Sequence, residues 1–168
     1  MTGWVALLRA VNVGGNNKIP MAELAALATR LGLGQARTYI ASGNLIFASE
    51  RGEDELRAML EDAIAAEWGK AIGVLVRSAA ELADLAARNP WPDRPGNRVV
   101  TLFTDAPPTL EGVRHQAGEV LMLGQREIFI DYGDGMASSK LVVPATRTGT
   151  ARNMNTVVKL AELAGSIS

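Results

Sequence analysis

The 168-residue chain contains no cysteine and a single histidine, His115. The absence of cysteine excludes disulfides, thiol nucleophiles, cysteine-ligated zinc and iron–sulfur clusters, and one histidine excludes a multi-histidine metal site built from this chain alone. Aromatic residues make up only 5% of the chain, which is few for a domain that stacks nucleobases. No apolar run approaches the roughly 18 residues of a membrane span, and the first residues lack a signal-peptide pattern. We therefore expect a cytoplasmic protein with no metal, no cofactor and no membrane partner.

The charges that are present are unevenly distributed along the chain. The overall net charge is −1, with 48% hydrophobic and 21% charged residues, as in an ordinary globular protein. Counted by segment, the net charge is +3 over residues 1–48, −4 over 49–96, −3 over 97–134 and +3 over 135–168. Two explanations stay open: solvated acidic helices in the middle of the chain, or two basic ends that form one anion site.

The order of the predicted elements favours an α+β fold. In the first half, strands are predicted at 4–8, 38–41, 45–48 and 72–76, with helices beginning near Pro20 and Glu53. Strand, helix, strand, strand, helix, strand is the split βαβ pattern of ferredoxin-like sandwiches, in which helices cover one face of an antiparallel sheet.

The second half of the chain predicts a related α+β sandwich. Strands are expected at 99–103, 120–123 and 127–131, with a short helix after Pro107-Pro108 and a last helix capped by Asn153. The prolines between residues 89 and 97 break regular structure. We therefore predict two packed subdomains, residues 1–88 and 98–168, joined by a bend or linker at 89–97.

The predicted topology brings two polar loops together. In a split βαβ sheet the first two strands are parallel and flank the third, so their carboxyl ends lie at the same edge. Loop 10–19 and the turn Ser42-Gly43-Asn44 should therefore meet there, beside the amino terminus of the helix at Pro20.

The composition of these loops is typical of an anion-binding cradle. Gly14 and Gly15 allow close backbone approach, Lys18 adds a positive charge, and Asn12 can donate and accept hydrogen bonds. The spacing of a P-loop is absent, so no nucleoside triphosphate site follows. Tight turns also favour glycine and asparagine, and this purely structural interpretation stays open.

The C-terminal region offers a second basic segment before a helix. Arg152, Asn153 and Asn155 lie at the predicted helix start, and Lys140 follows two serines. A second anion site is one interpretation of this segment. The other is an ordinary helix cap formed by Asn153, with Arg152 in solvent.

Five segments spread over nearly the whole chain form a set of motifs: residues 7–18, 39–44 (YIASGN), 89–92 (NPWP), 139–141 (SKL) and 152–157 (RNMNTV). In sequence and in order they resemble the motifs of the bacterial domain-of-unknown-function 1697 family. The resemblance implies two ferredoxin-like α+β subdomains and no established activity. Met154 stands where the family usually has tryptophan, either as a core filler or in place of a ring that stacks on a ligand.

The leading hypothesis is a small soluble protein that binds a phosphate- or carboxylate-bearing ligand in a groove between the subdomains. A nucleic-acid-binding module and an interaction domain with purely structural motifs are the alternatives. An ordinary hydrolase is poorly supported, because no G-x-S-x-G motif is present and His115 is expected to be an exposed helix residue. Whether the protein catalyses any reaction is left open. The predicted ligand-binding residues are Arg9, Asn12, Gly14, Gly15, Lys18, Ser42, Gly43, Asn44, Lys140, Arg152, Asn153 and Asn155.

Overall fold

The computed structural model describes residues 1–12 and 17–167. Helices and strands are mixed along the chain, with two 3₁₀ turns before the last strand. In chain order the elements are β1 (Thr2–Leu8), α1 (Met21–Arg30), β2 (Gly34–Thr38), β3 (Asn44–Ser49), α2 (Glu53–Trp68), β4 (Val74–Ser78), α3 (Ala79–Ala87), β5 (Val99–Phe103), β6 (Val120–Leu123), β7 (Glu127–Asp131), the 3₁₀ turns Met136–Ser138 and Pro144–Arg147, β8 (Thr150–Asn153) and α4 (Met154–Gly165).

The first sheet has the strand order β2-β3-β1-β4. β3 is antiparallel to both β1 and β2, so those two strands are parallel and flank it. This is the arrangement predicted from the split βαβ pattern. β1 also pairs with β4 in antiparallel register, with Leu7 opposite Leu75.

A hydrophobic core covers one face of the first sheet. Leu8, Phe47 and Val76 from the strands are buried with Leu24 of α1 and Leu60 of α2. The alternate positions along β1, such as Val5 and Leu7, are fully buried as well. Both faces of this sheet are therefore covered, which explains why β1 and β3 are continuous apolar runs instead of alternating ones.

The second sheet repeats the strand order of the first, with β6-β7-β5-β8 in place of β2-β3-β1-β4. All its pairs are antiparallel, and its core includes Leu102, Ile128 and Val143. The two four-stranded antiparallel sheets with their helices confirm the predicted α+β class.

Two local predictions were wrong. β2 ends at Thr38 instead of beginning there, because it is an exposed edge strand with a register shift between Gly34 and Arg37 and has no apolar alternation that would reveal it. No helix follows Pro107-Pro108, and His115 lies in irregular structure with a left-handed φ of 59°. Gly112, His115 and Gly118 all have left-handed φ, which an α-helix excludes, and the backbone of this segment pairs with a later one at Arg114 and Val142.

Contacts within the chain divide it into two compact units. The first comprises residues 1–84 with 159–168, and the second comprises residues 85–158. The boundaries at 1–88 and 98–168 predicted from the sequence, with their linker at 89–97, stay predictions. Within the described residues, every helix is too short or too polar to cross a membrane.

Candidate functional site

The segments that follow β1 and β2 meet at one edge of the first sheet. The backbone N–H of Leu8 donates to the carbonyl of Gly43 at 2.9 Å, and Nδ2 of Asn12 donates to the carbonyl of Ala41 at 2.7 Å. We call residues 10–12, 17–20 and 40–44 the β1 rim. The sequence predicted this juxtaposition from topology, although Gly14 and Gly15 lie outside the described residues.

Asn12 closes the loop that follows β1. Its Nδ2 donates to the carbonyl of Ile19 at 3.1 Å as well as to Ala41, and its Oδ1 accepts the Ile19 N–H at 2.9 Å. The amide of Asn17 donates in turn to the carbonyl of Ala10 at 3.2 Å. Both Nδ2 protons of Asn12 are therefore used within the protein, and its role is to fix the loop instead of contacting a ligand through the amide nitrogen.

The turn before β3 is held in a similar way. Asn44 is fully buried, and its Nδ2 donates to the carbonyl of Tyr39 and to Oγ of Ser42, both at 3.0 Å. Gly43 has a left-handed φ of +87°, and a Cβ at that position would lie 2.5 Å from a methyl group of Val11. The predicted residues Ser42, Gly43 and Asn44 therefore fix the backbone of the turn and do not need a ligand to explain them.

Left-handed backbone is concentrated at the β1 rim. Of the six described non-glycine residues with positive φ, four lie there: Ala10, Asn12, Asn17 and Ile40. Ile40 is the least expected, because a β-branched side chain disfavours this region and 52% of its surface is exposed. Each such residue costs roughly 1–3 kcal/mol, so the surrounding hydrogen bonds must hold the rim in this shape.

The rim carries an exposed positive charge beside a helix terminus. Lys18 is exposed, and a shallow cleft of about 330 Å³ is lined by Asn12, Lys18, Ile19 and Pro20. α1 begins after Pro20, which supplies no side-chain hydrogen bond to the first-turn amides. Glu23 in that turn partly offsets the positive end of the helix. Arg9, also predicted, is half-buried with its aliphatic part against Gly73.

The basic segment before α4 lies in the second unit and is largely engaged. Arg152 is 7% exposed, and its Nη1 donates to Oγ1 of Thr150 at 2.7 Å and to the carbonyl of Ala151 at 2.9 Å. Burial lowers the pKa of the Arg152 guanidinium to about 10. Oδ1 of Asn153 accepts the Thr156 N–H at 2.9 Å, which is the predicted helix cap.

Two further residues of this segment have defined surroundings. Asn155 is exposed on its outer side but lies so close to Gly96 that any side chain at Gly96 would overlap it. Met154 is buried, and its backbone N–H donates to the carbonyl of Gly96 at 3.0 Å. The methionine therefore occupies a packing position instead of a ligand-stacking one.

The second unit also contains a larger concavity, of about 630 Å³, which we call the Glu119 cavity. Lys140 is the one predicted site residue among those described that lines it. The other charged or hydrogen-bonding side chains in its wall are Arg94, His115, Gln116, Glu119, Tyr132, Asp134, Ser138 and Ser139.

Glu119 is the buried charged group of this cavity, with 6% of its surface exposed. Its Oε1 accepts the Ala117 N–H at 2.5 Å, and its Oε2 accepts a short hydrogen bond from the Ser139 hydroxyl. The Ser139 hydroxyl, followed by the Ala117 amide, lowers the pKa of the Glu119 carboxyl. Burial, followed by the negative charge of Glu119, raises the pKa of Tyr132. The cavity therefore holds a carboxylate beside a neutral phenol.

Sequence reasoning missed Glu119 and Tyr132. Nothing local marks Glu119, since it lies in an acidic stretch of the chain and its partner Ser139 is 20 residues away. The Ser-Ser-Lys sequence at 138–140 was the one signal close to this cavity. Among the described residues, no group of three or more acidic or histidine side chains is arranged to hold a metal ion.

The predicted residues thus fall into three groups. The β1 rim brings together Asn12, Lys18 and the turn 42–44, the start of α4 holds Arg152, Asn153 and Asn155, and Lys140 lies in the Glu119 cavity. A composite site made from all of them stays a prediction.

Comparison with known proteins gives a family and a fold. A family model described as "Protein of unknown function (DUF1697)" matches residues 1–129. The conserved bacterial protein SP0830 from Streptococcus pneumoniae has a similar solved structure, with a TM-score of 0.80 and 29% sequence identity, covering 97% of this chain and 98% of that one. No curated protein matches the chain significantly. The structural likeness supports the two α+β subdomains.

Proposed function

The chain belongs to the domain-of-unknown-function 1697 family, and from the chemistry of its own residues we propose that it binds a small phosphate- or carboxylate-bearing ligand at the β1 rim. The observation that carries this proposal is an exposed lysine beside a helix amino terminus that has no side-chain cap, with its neighbours Asn17 and Ile19 hydrogen-bonded to Ala10 and Asn12. Lys18 supplies the charge and the first-turn amides of α1 supply directional donors.

Prior fixation of the rim lowers the entropic cost of binding. The two loops are joined through Asn12 and through the pair formed by Leu8 and Gly43, so the cleft has its shape before a ligand arrives. A ligand that enters a fixed site orders few side chains and retains more of its interaction free energy. In this proposal Asn12, Gly43 and Asn44 position the site, and Lys18 contacts the ligand.

A thermal-shift screen tests the proposal. The panel comprises nucleotides, sugar phosphates, dicarboxylic acids, inorganic pyrophosphate and short oligonucleotides. A ligand present at 100 times its Kd stabilises the folded state by about 2.7 kcal/mol, so a genuine ligand gives a clear rise in Tm. If no anion raises Tm, the protein is not an anion-binding protein.

The charge of Lys18 is tested against a matched control. Lys18→Met should weaken binding of the best anion by about tenfold, as expected for the loss of one charge-assisted contact. Arg51→Met removes one positive charge beyond the far end of β3, where the Arg51 side chain forms an exposed ion pair with Glu55. Equal binding by both variants would place the ligand elsewhere.

Salt dependence separates a small-ligand site from a nucleic-acid interface. Oligonucleotide binding releases several counterions, so its affinity falls steeply with salt, whereas one lysine contact gives a shallow slope. The low aromatic content and the net charge of −1 favour the small ligand.

Two broader assignments accompany this proposal. We assign the first unit to the ferredoxin-like class on its strand order, β2-β3-β1-β4 with the element order βαββαβ. We also propose a cytoplasmic location, since a chain without cysteine gains nothing from an oxidising compartment.

A further inference from the structure

The Glu119 cavity contains a buried carboxylate with no ion-pair partner. Three carboxylates are buried among the described residues: Glu119, Glu127 and Asp131. Glu127 pairs with Arg88 at 3.2 Å and Asp131 pairs with Arg94 at 3.0 Å. In the part of the chain that the structure describes, no cationic group lies within 4 Å of Glu119. Since a buried charge is costly unless it is paired, this exception needs an explanation.

Neutral hydrogen bonds hold Glu119 in its ionised form without cancelling its charge. Ser139 donates to one oxygen and Ala117 to the other, and the backbone of Glu119 itself also hydrogen-bonds the carboxylate, so about one of its roughly four acceptor positions is left. The Ser139 hydroxyl also accepts the Leu141 N–H at 3.3 Å, which orients its proton toward the carboxylate. The site is thus built around a fixed negative charge.

Two other charged side chains in the cavity wall form ion pairs with other residues. Arg94 bonds Asp131 through its Nε, and Asp134 forms an ion pair with Arg98. Lys140 is exposed and forms no ion pair with the described residues, although it lines the same cavity as Glu119. One buried negative charge and one exposed positive charge therefore remain for a ligand.

We propose that the Glu119 cavity binds a small basic amino acid, whose side-chain ammonium or guanidinium group pairs with Glu119 and whose carboxylate faces Lys140. A cavity of about 630 Å³ accommodates a molecule of this size. The cationic group donates to the remaining acceptor position of Glu119, and charge-assisted hydrogen bonds of this kind are the strong ones. This inference is independent of the anion proposed for the β1 rim, because it concerns a different set of residues.

Isothermal titration calorimetry with four related compounds tests the assignment. L-Arginine and L-lysine should bind, agmatine should bind more weakly because it lacks the carboxylate, and L-citrulline should bind least because its side chain is neutral. Equal affinity for arginine and citrulline, or no binding by any of the four, overturns the proposal.

Matched variants locate the binding site. Glu119→Gln should weaken arginine binding by about tenfold or more, as for loss of a charged hydrogen bond. Glu111→Gln, an exposed position in the same unit outside the cavity wall, should bind like the unaltered protein. Lys18→Met should also leave arginine binding unchanged, which separates this result from failure at the β1 rim. Arginine binding that survives in Glu119→Gln refutes the site.

A second variant keeps the test informative if Glu119→Gln folds poorly. Lys140→Met should reduce the preference for arginine over agmatine, because it removes the partner of the ligand carboxylate. Nuclear magnetic resonance of the unaltered protein should show arginine-dependent shifts of the amides of Ala117 and Ser139. If Lys140→Met instead destabilises the protein and no amide near Glu119 responds to arginine, Lys140 is the internal partner of Glu119 and the proposal is wrong.

Discussion

Gly43 and Gly32 have nearly the same left-handed backbone, with φ of +87° and +85°, but very different surroundings. A Cβ at Gly32 would meet no atom within 4 Å, whereas one at Gly43 would lie 2.5 Å from Val11 and 3.0 Å from Leu8. Gly32 needs only conformational freedom, as a residue just after a helix end does. Gly43 also needs the space, because the two loops of the β1 rim approach each other there.

This pair of glycines gives a prediction with its own control. Gly32→Ala should lower the free energy of unfolding by about 1 kcal/mol, which is the cost of a left-handed alanine. Gly43→Ala should lower it by a further 1–3 kcal/mol or so, because the added methyl group overpacks the site. Urea denaturation measures both values, and equal losses would show that the rim relaxes around the methyl group.

Ile40 combines a strained backbone with an exposed side chain. Replacing it with asparagine, which tolerates left-handed backbone, should stabilise the protein by about 1 kcal/mol because little packing is lost. Leu110→Asn is the control, since Leu110 is another exposed apolar residue without positive φ. A loss of stability in Ile40→Asn would indicate that the side chain contributes more packing than its exposure suggests.

At the scale of elements, α3 shows how a local sequence motif specifies a helix start. The Glu81 N–H donates to Oγ of Ser78 at 3.1 Å, and the Ser78 N–H donates to Oε1 of Glu81 at 3.4 Å. This reciprocal capping box depends only on a serine and a glutamate three positions apart in the chain, Ser78 and Glu81. By contrast, α1 starts after Pro20, which forms no side-chain cap, and this leaves its first amides available at the β1 rim.

The capping box predicts a measurable contribution to stability. Ser78→Ala should reduce the free energy of unfolding by about 1 kcal/mol, whereas Ser78→Thr should retain most of it because threonine keeps the hydroxyl acceptor. Thermal denaturation of the two variants in parallel measures the difference. If both lose the same amount, the hydroxyl does not act as the cap.

Elements with strong local signals were predicted closely. β5, β6 and β7 have the predicted boundaries, since apolar runs and the turn at residues 124–125 define them. β2 was misplaced because its sequence, GQART, is polar and its pairing depends on β3. Edge strands of this kind are specified by their neighbours more than by their own residues.

For the whole molecule, the buried carboxylate in the second unit predicts a dependence of stability on pH. The folded-state pKa of Glu119 is lowered from its ordinary value of 4.5, because Ser139 and Ala117 hydrogen-bond the charged form. Its stabilising contribution is therefore present above pH 4.5 and is lost as the pH falls through the lower folded-state pKa.

The difference in unfolding free energy between the unaltered protein and Glu119→Gln isolates this contribution. We expect this difference in unfolding free energy to be constant at pH 5–7. As the pH falls below about 4.5, the unaltered protein should lose stability relative to Glu119→Gln. Urea denaturation at several pH values measures it. A difference that stays constant down to pH 3 would show that the Glu119 hydrogen bonds do not favour the charged form in solution.

At the scale of the whole chain, the structure shows how far the two basic ends are exposed. The net charge of −1 conceals two basic ends, and the first of them includes the exposed Lys18 of the β1 rim. The second includes Arg152, which is buried and hydrogen-bonded within its own unit. The two basic ends therefore differ in exposure: Lys18 faces solvent, whereas Arg152 is buried.

The sequence by itself determined the α+β class, the order of the strands in the first sheet, the helix caps at Ser78 and Asn153, and the meeting of two loops at one edge. These features depend on residues close together in the chain, or on the small number of topologies that a given order of elements allows. Tertiary structure alone decided which polar side chains hydrogen-bond within the protein and which are exposed to a ligand. Asn12 bonds Ala41, 29 residues away, and Glu119 bonds Ser139, 20 residues away, so neither partner can be read from local pattern. Burial and hydrogen bonding over such separations determine the free-energy cost of each charge. They identify Glu119 as a candidate binding residue, which composition and spacing did not reveal.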